Sequence, residues 1–395
     1  DRAAGGRREP LRIPPARQFP AVRATFDDLN KALSRLSNSP LLPGGRTLRE
    51  LYEEEQARYE ELSMAAWSEG RFEPDYGTYV LDGARGDLFL VAPERWHRLA
   101  LVTSNAMLLT DPERRSSWQE VRARLEGTVV GFAGLSVGGN VLEGWLREAR
   151  PKQAKLADPD WVEVTNFNRG ERMSLRHMVA PRSARFDLRN PFENPRVPKA
   201  EYIAYEQHLV DPYSIFHVYP EGITRANVDR FLLGDGADEP PIEILVEEMD
   251  NLEMKMLVRE RCRVHGIDVL MLSDFGHRAH VLWHFFRGAP NAPIAITGPD
   301  EALYDAISRT KAGDRSALPQ FIGLLCGEEY AGDQFHEWML GKGEQPTSSV
   351  PQSGATAMAS GAVGGKELAL HVLGHRQGAA RSVTYDLLSR RATTE

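Results

Sequence analysis

The chain has 395 residues, 42% apolar and 26% charged, an ordinary globular composition that excludes a wholly disordered or collagen-like chain. Its 48 basic and 56 acidic residues leave a formal net charge of −8, which argues against a general nucleic-acid binder. No run approaches the ~18 uninterrupted apolar residues of a membrane helix, and the two cysteines, Cys262 and Cys326, allow neither a disulfide framework nor a four-cysteine zinc site.

In chain order, DRAAGGRREPLRIPPARQFP lacks the apolar block of a secretory signal. Together with the scarcity of cysteine, this gives a cytoplasmic expectation. Residues 1–45 read as a loosely ordered Pro/Arg-rich arm. Residues 46–125 read as a small α+β accessory module, either a lid or dimerisation element or a peptide- or protein-binding one. RTLRELYEEEQARYEELSMAAW and SSWQEVRARLEG are its helices, and GTYVLDGARGDLFLVAPERW contains short strands with glycine turns.

From residue 126 strands and helices alternate. TVVGFAG, KQAKLAD, SIFHVYPEGI, IEILVEEMD and IDVLMLSD are strands, and NVLEGWLREA, PKAEYIAYEQHLV, ANVDRFLLG and LEMKMLVRERCRVHG are the helices between them. HVLWHFF adds a strand, residues of about 288–350 form an irregular insertion, and ATAMASGAVGGKELALHVLG is the closing helix. The predicted fold class is α/β, a Rossmann-like doubly wound, mostly parallel sheet with a mixed α+β N-terminal extension.

The first strand–helix turn reads Gly134-Leu135-Ser136-Val137-Gly138-Gly139. Gly134 permits a tight turn, Gly139 permits close helix packing, and the following helix offers free N–H groups to an anion. Ser136 stands at the middle glycine of the dinucleotide fingerprint and offers a hydroxyl to a phosphate. Asp158 ends the next strand, 24 residues after Gly134, where a carboxylate can accept from ribose hydroxyls. These features also fit an NAD(P)-binding oxidoreductase.

Asp158 opens the run Asp158-Pro159-Asp160-Trp161-Val162-Glu163-Val164-Thr165-Asn166-Phe167-Asn168-Arg169. This run resembles the D-x-D-x-V-x-x-S-N-L-N-R signature of the ThiF/MoeB and ubiquitin-activating-enzyme superfamily of adenylyltransferases. EILVEEMDNLEMKMLVRERCRVHGIDVLM is similar to that family's D-x-x-D-N-x-x-x-R-x-x-x-N-x-x-C segment, and SGATAMASGAVGGKELALHVLG to its closing helix. GLSVG with VEEMDNLEMK also resembles a bacterial branch in which such a domain is sometimes fused to a nitroreductase-like one.

The resemblance implies that residues 126–395 form a nucleotide-binding adenylation domain. In it MgATP reacts with a carboxylate, giving an acyl adenylate and pyrophosphate. The substrate would be a peptide or small-protein C-terminus or a small-molecule carboxylate, and the enzyme a homodimer acting on neither nucleic acid nor membrane. Carried over, Asp158 holds the ribose, with Asp160, Gly134, Ser136, Gly138 and Gly139 around the nucleotide. Asn166, Arg169 and Lys199 contact the phosphates, Asp250 coordinates Mg²⁺, and Asn251 and Lys255 belong to the nucleotide-binding set. Arg169, Lys199 and Asp250 form the catalytic set. The chemistry suits them: carboxylate attack on a phosphorus brings two anions together, so cations and a metal must absorb charge.

The chain departs from the family in its phosphate turn, in a longer stretch between Arg169 and Lys199 (RHMVAPRSARFDLRNPFENPR), and in lacking C-x-x-C pairs, so no structural zinc is expected. Cys326 is the one candidate for a thioester nucleophile; nearby Glu328 and Glu329 oppose thiolate formation. His277, His280 and His284 read as a polar wall or sheet surface rather than a metal set. Asp274, at a strand end just before them, is a candidate for the acyl-acceptor side. Trp145, Trp161, Trp283 and Trp338 read as core. The alternatives to adenylation are an oxidoreductase and a catalytically degenerate scaffold or partner subunit.

Overall fold

The structure is a computed structural model. It describes residues 11–13, 78–82, 87–91, 94–111, 116–170, 173, 198–208, 210–236, 238–327, 330, 337–342, 351–375 and 382–394. Most of the predicted arm, the helix expected in RTLRELYEEEQARYEELSMAAW and the stretch RHMVAPRSARFDLRNPFENPR lie outside the described residues.

The strands are β1 (Leu11–Ile13), β2 (Thr78–Asp82), β3 (Asp87–Val91), β4 (Val130–Ala133), β5 (Gln153–Ala157), β6 (Ile215–Tyr219), β7 (Ile244–Glu247), β8 (Asp268–Phe275), β9 (Arg278–His284), β10 (Ser382–Asp386) and β11 (Arg391–Thr394). The helices are α1 (Glu94–Leu108), α2 (Trp118–Gly127), α3 (Val137–Ala149), α4 (Lys199–His208), α5 (Val228–Leu233), α6 (Leu252–His265), α7 (Asp300–Lys311), α8 (Ala317–Cys326) and α9 (Gly354–Val372).

Nine strands make one sheet in the order β1-β6-β5-β4-β7-β8-β9-β10-β11, and β2–β3 form a separate hairpin. β6, β5, β4, β7 and β8 pair in parallel, and the outer strands add antiparallel. The chain enters at β4, steps outward to β5 and β6, then returns to the other side of β4 for β7 and β8. This is the doubly wound order, and its crevice lies at the C-terminal ends of β4 and β7 where the direction of winding reverses.

Both faces are covered, which explains why β4 and β7 are buried at every position. One face packs Phe132, Leu156 and Val246 against α3, α4 and α9, with Trp145 at its centre. The other packs Leu245, Val269 and Met271 against α5, α6, α7 and α8. Ala106 of α1 and Val121 and Leu125 of α2 belong to the first of these cores, so the end of the accessory region shares the main hydrophobic interior.

Where α3 crosses α9, side chains give way to backbone. A Cβ on Gly144 would lie 2.3 Å from the Gly361 carbonyl oxygen, and one on Gly365 2.3 Å from the Gly144 carbonyl carbon. The glycines of ASGAVGG thus let α9 lie directly on α3, which brings the start of α9 to the crevice.

Several elements were not anticipated. α7 and α8 occupy the segment expected to be irregular; their apolar positions, Leu303, Ala306, Phe321 and Leu325, are buried on the second face. α1 overlaps the segment read as strands only at residues 94–96, and its remainder carries no expected element; the short hairpin β10–β11 carries few apolar residues. Trp145 and Trp283 are core residues, but Trp161 is 44% exposed, contrary to expectation. It bridges to Pro198 beside the crevice, antiparallel, on the residue just before α4.

Candidate functional site

The turn after β4 is fixed by its backbone. Gly134 has φ +89°, and a Cβ there would meet the Glu248 carbonyl oxygen at 2.5 Å. Only glycine tolerates both the left-handed angle and the close approach. The Gly134 N–H donates to the Ala157 carbonyl at 2.8 Å, tying the turn to the end of β5.

Asp158 organises the next layer. Its Oδ2 accepts the Leu135 N–H at 2.6 Å and its Oδ1 the Asp160 N–H at 2.8 Å. Lys199 lies 3.9 Å from Asp158 and donates to Asp160 Oδ2 at 3.0 Å. Its own N–H donates to the Asp160 carbonyl at 2.9 Å. The stretch before Lys199 therefore delivers it to the Asp158 loop despite its added length. Burial raises the proton affinity of Asp158, against the pull of Lys199 and of the two amides.

Arg169 ties the Asp158 run to the phosphate turn. Its Nε donates to Ser136 Oγ at 3.1 Å, and its Nη1 donates to the Thr165 carbonyl at 2.5 Å and to Asn168 Oδ1 at 3.2 Å. Asn140, on α3, donates to the Arg169 carbonyl at 2.7 Å. Asn166 is buried, and its Oδ1 accepts the Glu163 N–H at 3.0 Å, closing the turn that aims Arg169. The guanidinium thus reaches the N-terminal end of α3, where unsatisfied N–H groups already favour an anion. Gly138 and Gly139 line that end; a Cβ on them would contact Glu248 Cγ at 3.3 Å and Ile203 Cδ1 at 3.2 Å.

The far wall comes from β7 and β8. Asp250 is exposed just before α6, and Asn251 caps that helix by accepting the Met254 N–H at 3.1 Å. Lys255 is not turned toward the crevice as expected. Its Nζ lies 2.9 and 3.0 Å from the two oxygens of Glu247, which also accepts from Arg259 and from the Met249 N–H. Glu247 has no exposed surface, so this buried pair claims the charge of Lys255. Glu248 accepts from the Leu272 N–H, and burial raises its carboxyl well above the usual range.

Asp274, at the end of β8, is 4% exposed. Its Oδ1 accepts from Gln352 Nε2 at 2.9 Å, and its Oδ2 has no hydrogen-bond partner among the described residues. Burial raises it to about 6; Asp250 adds to the rise, and Gln352, its own backbone N–H and Arg169 oppose it. Gln352 and Glu248 were not singled out from the sequence. The position of Glu248 just after β7 is the signal that could have found it; Gln352, in the segment before α9, carries no such signal.

Cys326 is buried at the end of α8, and burial pushes its thiol up to about 12, which leaves it protonated and without a nucleophilic role in this conformation. His280 and His284 are buried on one face of β9, bonded to Thr384 Oγ1 at 2.8 Å and the Ile294 carbonyl at 2.7 Å, while His277 is exposed. They are sheet-packing residues rather than a solvent-facing wall. Among the described residues no group of three or more His, Cys, Asp or Glu is arranged to hold a metal ion.

The structure therefore brings Gly134, Ser136, Gly138, Gly139, Asp158, Asp160, Asn166, Arg169 and Lys199 to one end of the sheet and commits Asn251 to a cap, Lys255 to an ion pair and Cys326 to the core.

No family model matches the chain. Uncharacterized protein MT1398 of Mycobacterium tuberculosis (strain CDC 1551 / Oshkosh) is 28% identical over 180 residues, which are 46% of this chain and 21% of that protein. The match thus spans about a fifth of that curated relative's length. Among solved structures, PaaA aligns over 90% of this chain and 99% of its own with 10% identity and a TM-score of 0.48. E. coli MccB aligns over 71% of this chain and 65% of its own, with 12% identity and a TM-score of 0.46. E. coli tRNA N6-threonylcarbamoyladenosine dehydratase TcdA aligns over 73% of this chain and 100% of its own, with 16% identity and a TM-score of 0.44.

Proposed function

We propose that this chain is a ThiF/MoeB-type enzyme that uses MgATP to adenylate a carboxylate, giving an acyl adenylate and pyrophosphate. The observation that carries this reading is the bond from Arg169 to Ser136. It joins the Asp158–Arg169 run to the N-terminal end of α3, so the most specific sequence block and the phosphate turn form one cradle. An oxidoreductase reading accounts for the turn and Asp158 but assigns no task to Arg169.

In this reading Gly134 lets a phosphate approach the backbone, and the first N–H groups of α3 receive it. Asp158, already holding the turn, faces the ribose. Arg169 offers a planar fork to the phosphates and Lys199 a point charge. The donor set fits a magnesium ion held through phosphate oxygens: Asp250 is an exposed carboxylate, and Mg²⁺ usually takes one or two carboxylates plus phosphate and water. When bound, the ion would neutralise charge developing on the phosphoryl oxygens. The carboxylate oxygen then attacks the α-phosphorus and pyrophosphate leaves.

A peptide or small-protein C-terminus is the substrate class favoured here, with small-molecule carboxylates as the alternative, and a homodimer is the favoured assembly. Residues 1–45 are read as an arm and 46–125 as an accessory module, either a lid or dimerisation element or a peptide- or protein-binding one.

Carboxylate-dependent exchange of labelled pyrophosphate into ATP tests the reading, with a panel of peptides spanning the twenty C-terminal residues as substrates. Arg169→Ala and Asp250→Asn should each lower exchange at least ~10²-fold, the scale set by loss of one transition-state charge contact. Tight NADH binding without ATP binding would identify an oxidoreductase instead, and a folded chain that binds neither would identify a scaffold.

A further inference from the structure

We propose that Asp274 receives the acyl acceptor of this reaction and that the acceptor is an amine. The inference rests on the adenylation reading and adds the second half of the chemistry to it.

Asp274 stands where the product of the first step would be consumed. It ends β8, one strand from β7 and the Asp250 loop, and electrostatically it feels both Arg169 and Asp250. Its Oδ1 is held by Gln352, and Gln352 is itself held: it bridges to Gly276, whose carbonyl accepts from Thr356 Oγ1 at 3.0 Å. The carboxylate is therefore fixed on one side. Its other oxygen is buried with no donor among the described residues. A buried carboxylate oxygen left unpaired is costly, and folds ordinarily supply it with a donor. Here the missing donor is an N–H that arrives with a second substrate.

The charge of the wall selects the class of that substrate. Asp250, in the loop before α6, and Asp274, on β8, put two carboxylates on this side of the site, and Asp274 also feels the charge of Arg169. Such a wall attracts an ammonium group and repels a thiolate. The two cysteines of the chain are both buried with raised thiol proton affinity, so neither is prepared to accept the acyl group.

The step balances as follows. The ammonium drawn to the wall first releases one proton to solvent; the amine nitrogen then attacks the acyl carbon, a C–N bond forms, and the bond between that carbon and the phosphate oxygen breaks. AMP leaves with the electron pair, and Asp274 Oδ2 takes one proton from the nitrogen. The product is an amide.

The test uses the full chain with MgATP, the same peptide panel, and glycinamide and N-acetylcysteamine at equal concentration, with products read by mass spectrometry. Amide should exceed thioester at least tenfold. Asp274→Asn, and Asp274→Ser as a second variant, should lower the kcat for amide formation about 10²-fold more than they lower pyrophosphate exchange. Asp274→Glu should restore part of it. Thioester as the main product, or equal losses of exchange and amide in both variants, would overturn the acceptor assignment while leaving adenylation standing. No ATP binding, together with no exchange with any peptide or small-molecule carboxylate, would overturn the adenylation reading, and the acceptor assignment would fall with it.

Discussion

Two aspartates sit at comparable places, Asp158 at the end of β5 and Asp274 at the end of β8, and the chain treats them in opposite ways. Both are 4% exposed. Asp158 has each oxygen bound to a backbone N–H and a lysine beside it, whereas Asp274 has one oxygen held by Gln352 and the other unpaired among the described residues. A carboxylate with both oxygens bonded organises the chain around it; one with an oxygen unpaired among the described residues costs stability, and the use proposed for it here is the acceptor. The contrast separates the scaffold of the crevice from its chemistry.

Glu247 is the extreme of the occupied kind, and its loss gives the largest expected effect. It compensates both Lys255 and Arg259 in the interior. Glu247→Ala leaves two buried cations unpaired, so urea unfolding should show a loss of about 3–5 kcal/mol. A loss under about 1 kcal/mol would mean that Lys255 is free to turn to the nucleotide, restoring its expected role and weakening the contrast.

Asp274 should respond in the opposite direction. Its folded-state value is about 6 against an ordinary 3.8, so the folded chain holds this proton more tightly than the unfolded chain does. The associated stability is present below pH 4 and is lost as pH rises through about 6. Asp274→Asn removes that loss. Thermal unfolding at pH 8 should find it more stable than the parent by at most about 3 kcal/mol, with the difference vanishing below pH 4. A variant less stable at pH 8 would show that Asp274 is structural after all.

The same contrast explains what could be read from the sequence. Asp158 and Arg169 were legible because their partners lie in one short run or in the glycine turn before it. The strands β4 to β8 were legible for a similar reason: each carries its own apolar run between helices. Lys255 was misread because Glu247 belongs to the preceding strand, and only the sheet reveals that both point into the interior. Gln352 was invisible because 78 residues separate it from Asp274. α1 carries its own helical spacing, with Leu99, Val102 and Ala106 all buried, and was readable; the β10–β11 hairpin was not, because its strands carry few apolar residues and form by pairing at the edge of the sheet.

Asp158 itself gives a smaller effect. Asp158→Asn turns the acceptor facing Leu135 N–H, or the one facing Asp160 N–H, into a donor. Losing one such charge-assisted bond should cost about 2 kcal/mol. ATP affinity, read by titration calorimetry, should fall with it, because the turn that receives the phosphate loses its brace. If stability falls and ATP affinity does not, Asp158 holds the loop alone and the ribose contact must be assigned elsewhere.

The smallest effect is expected at Cys326, where the amine and thioester routes diverge. The thiol is 2% exposed among apolar side chains of α8 and the second core, with Tyr330 beside it. Cys326→Ala removes one buried sulfur and should cost about 1 kcal/mol in urea unfolding. Pyrophosphate exchange and amide formation should both stay within twofold of the parent. An enzyme that passed its acyl group through this cysteine would instead keep exchange and lose all product, since the first half-reaction needs no thiol and the second could not proceed. A large loss confined to product would therefore mean that the crevice opens toward α8 during turnover, and it would move the acceptor from a free amine to the chain's own sulfur.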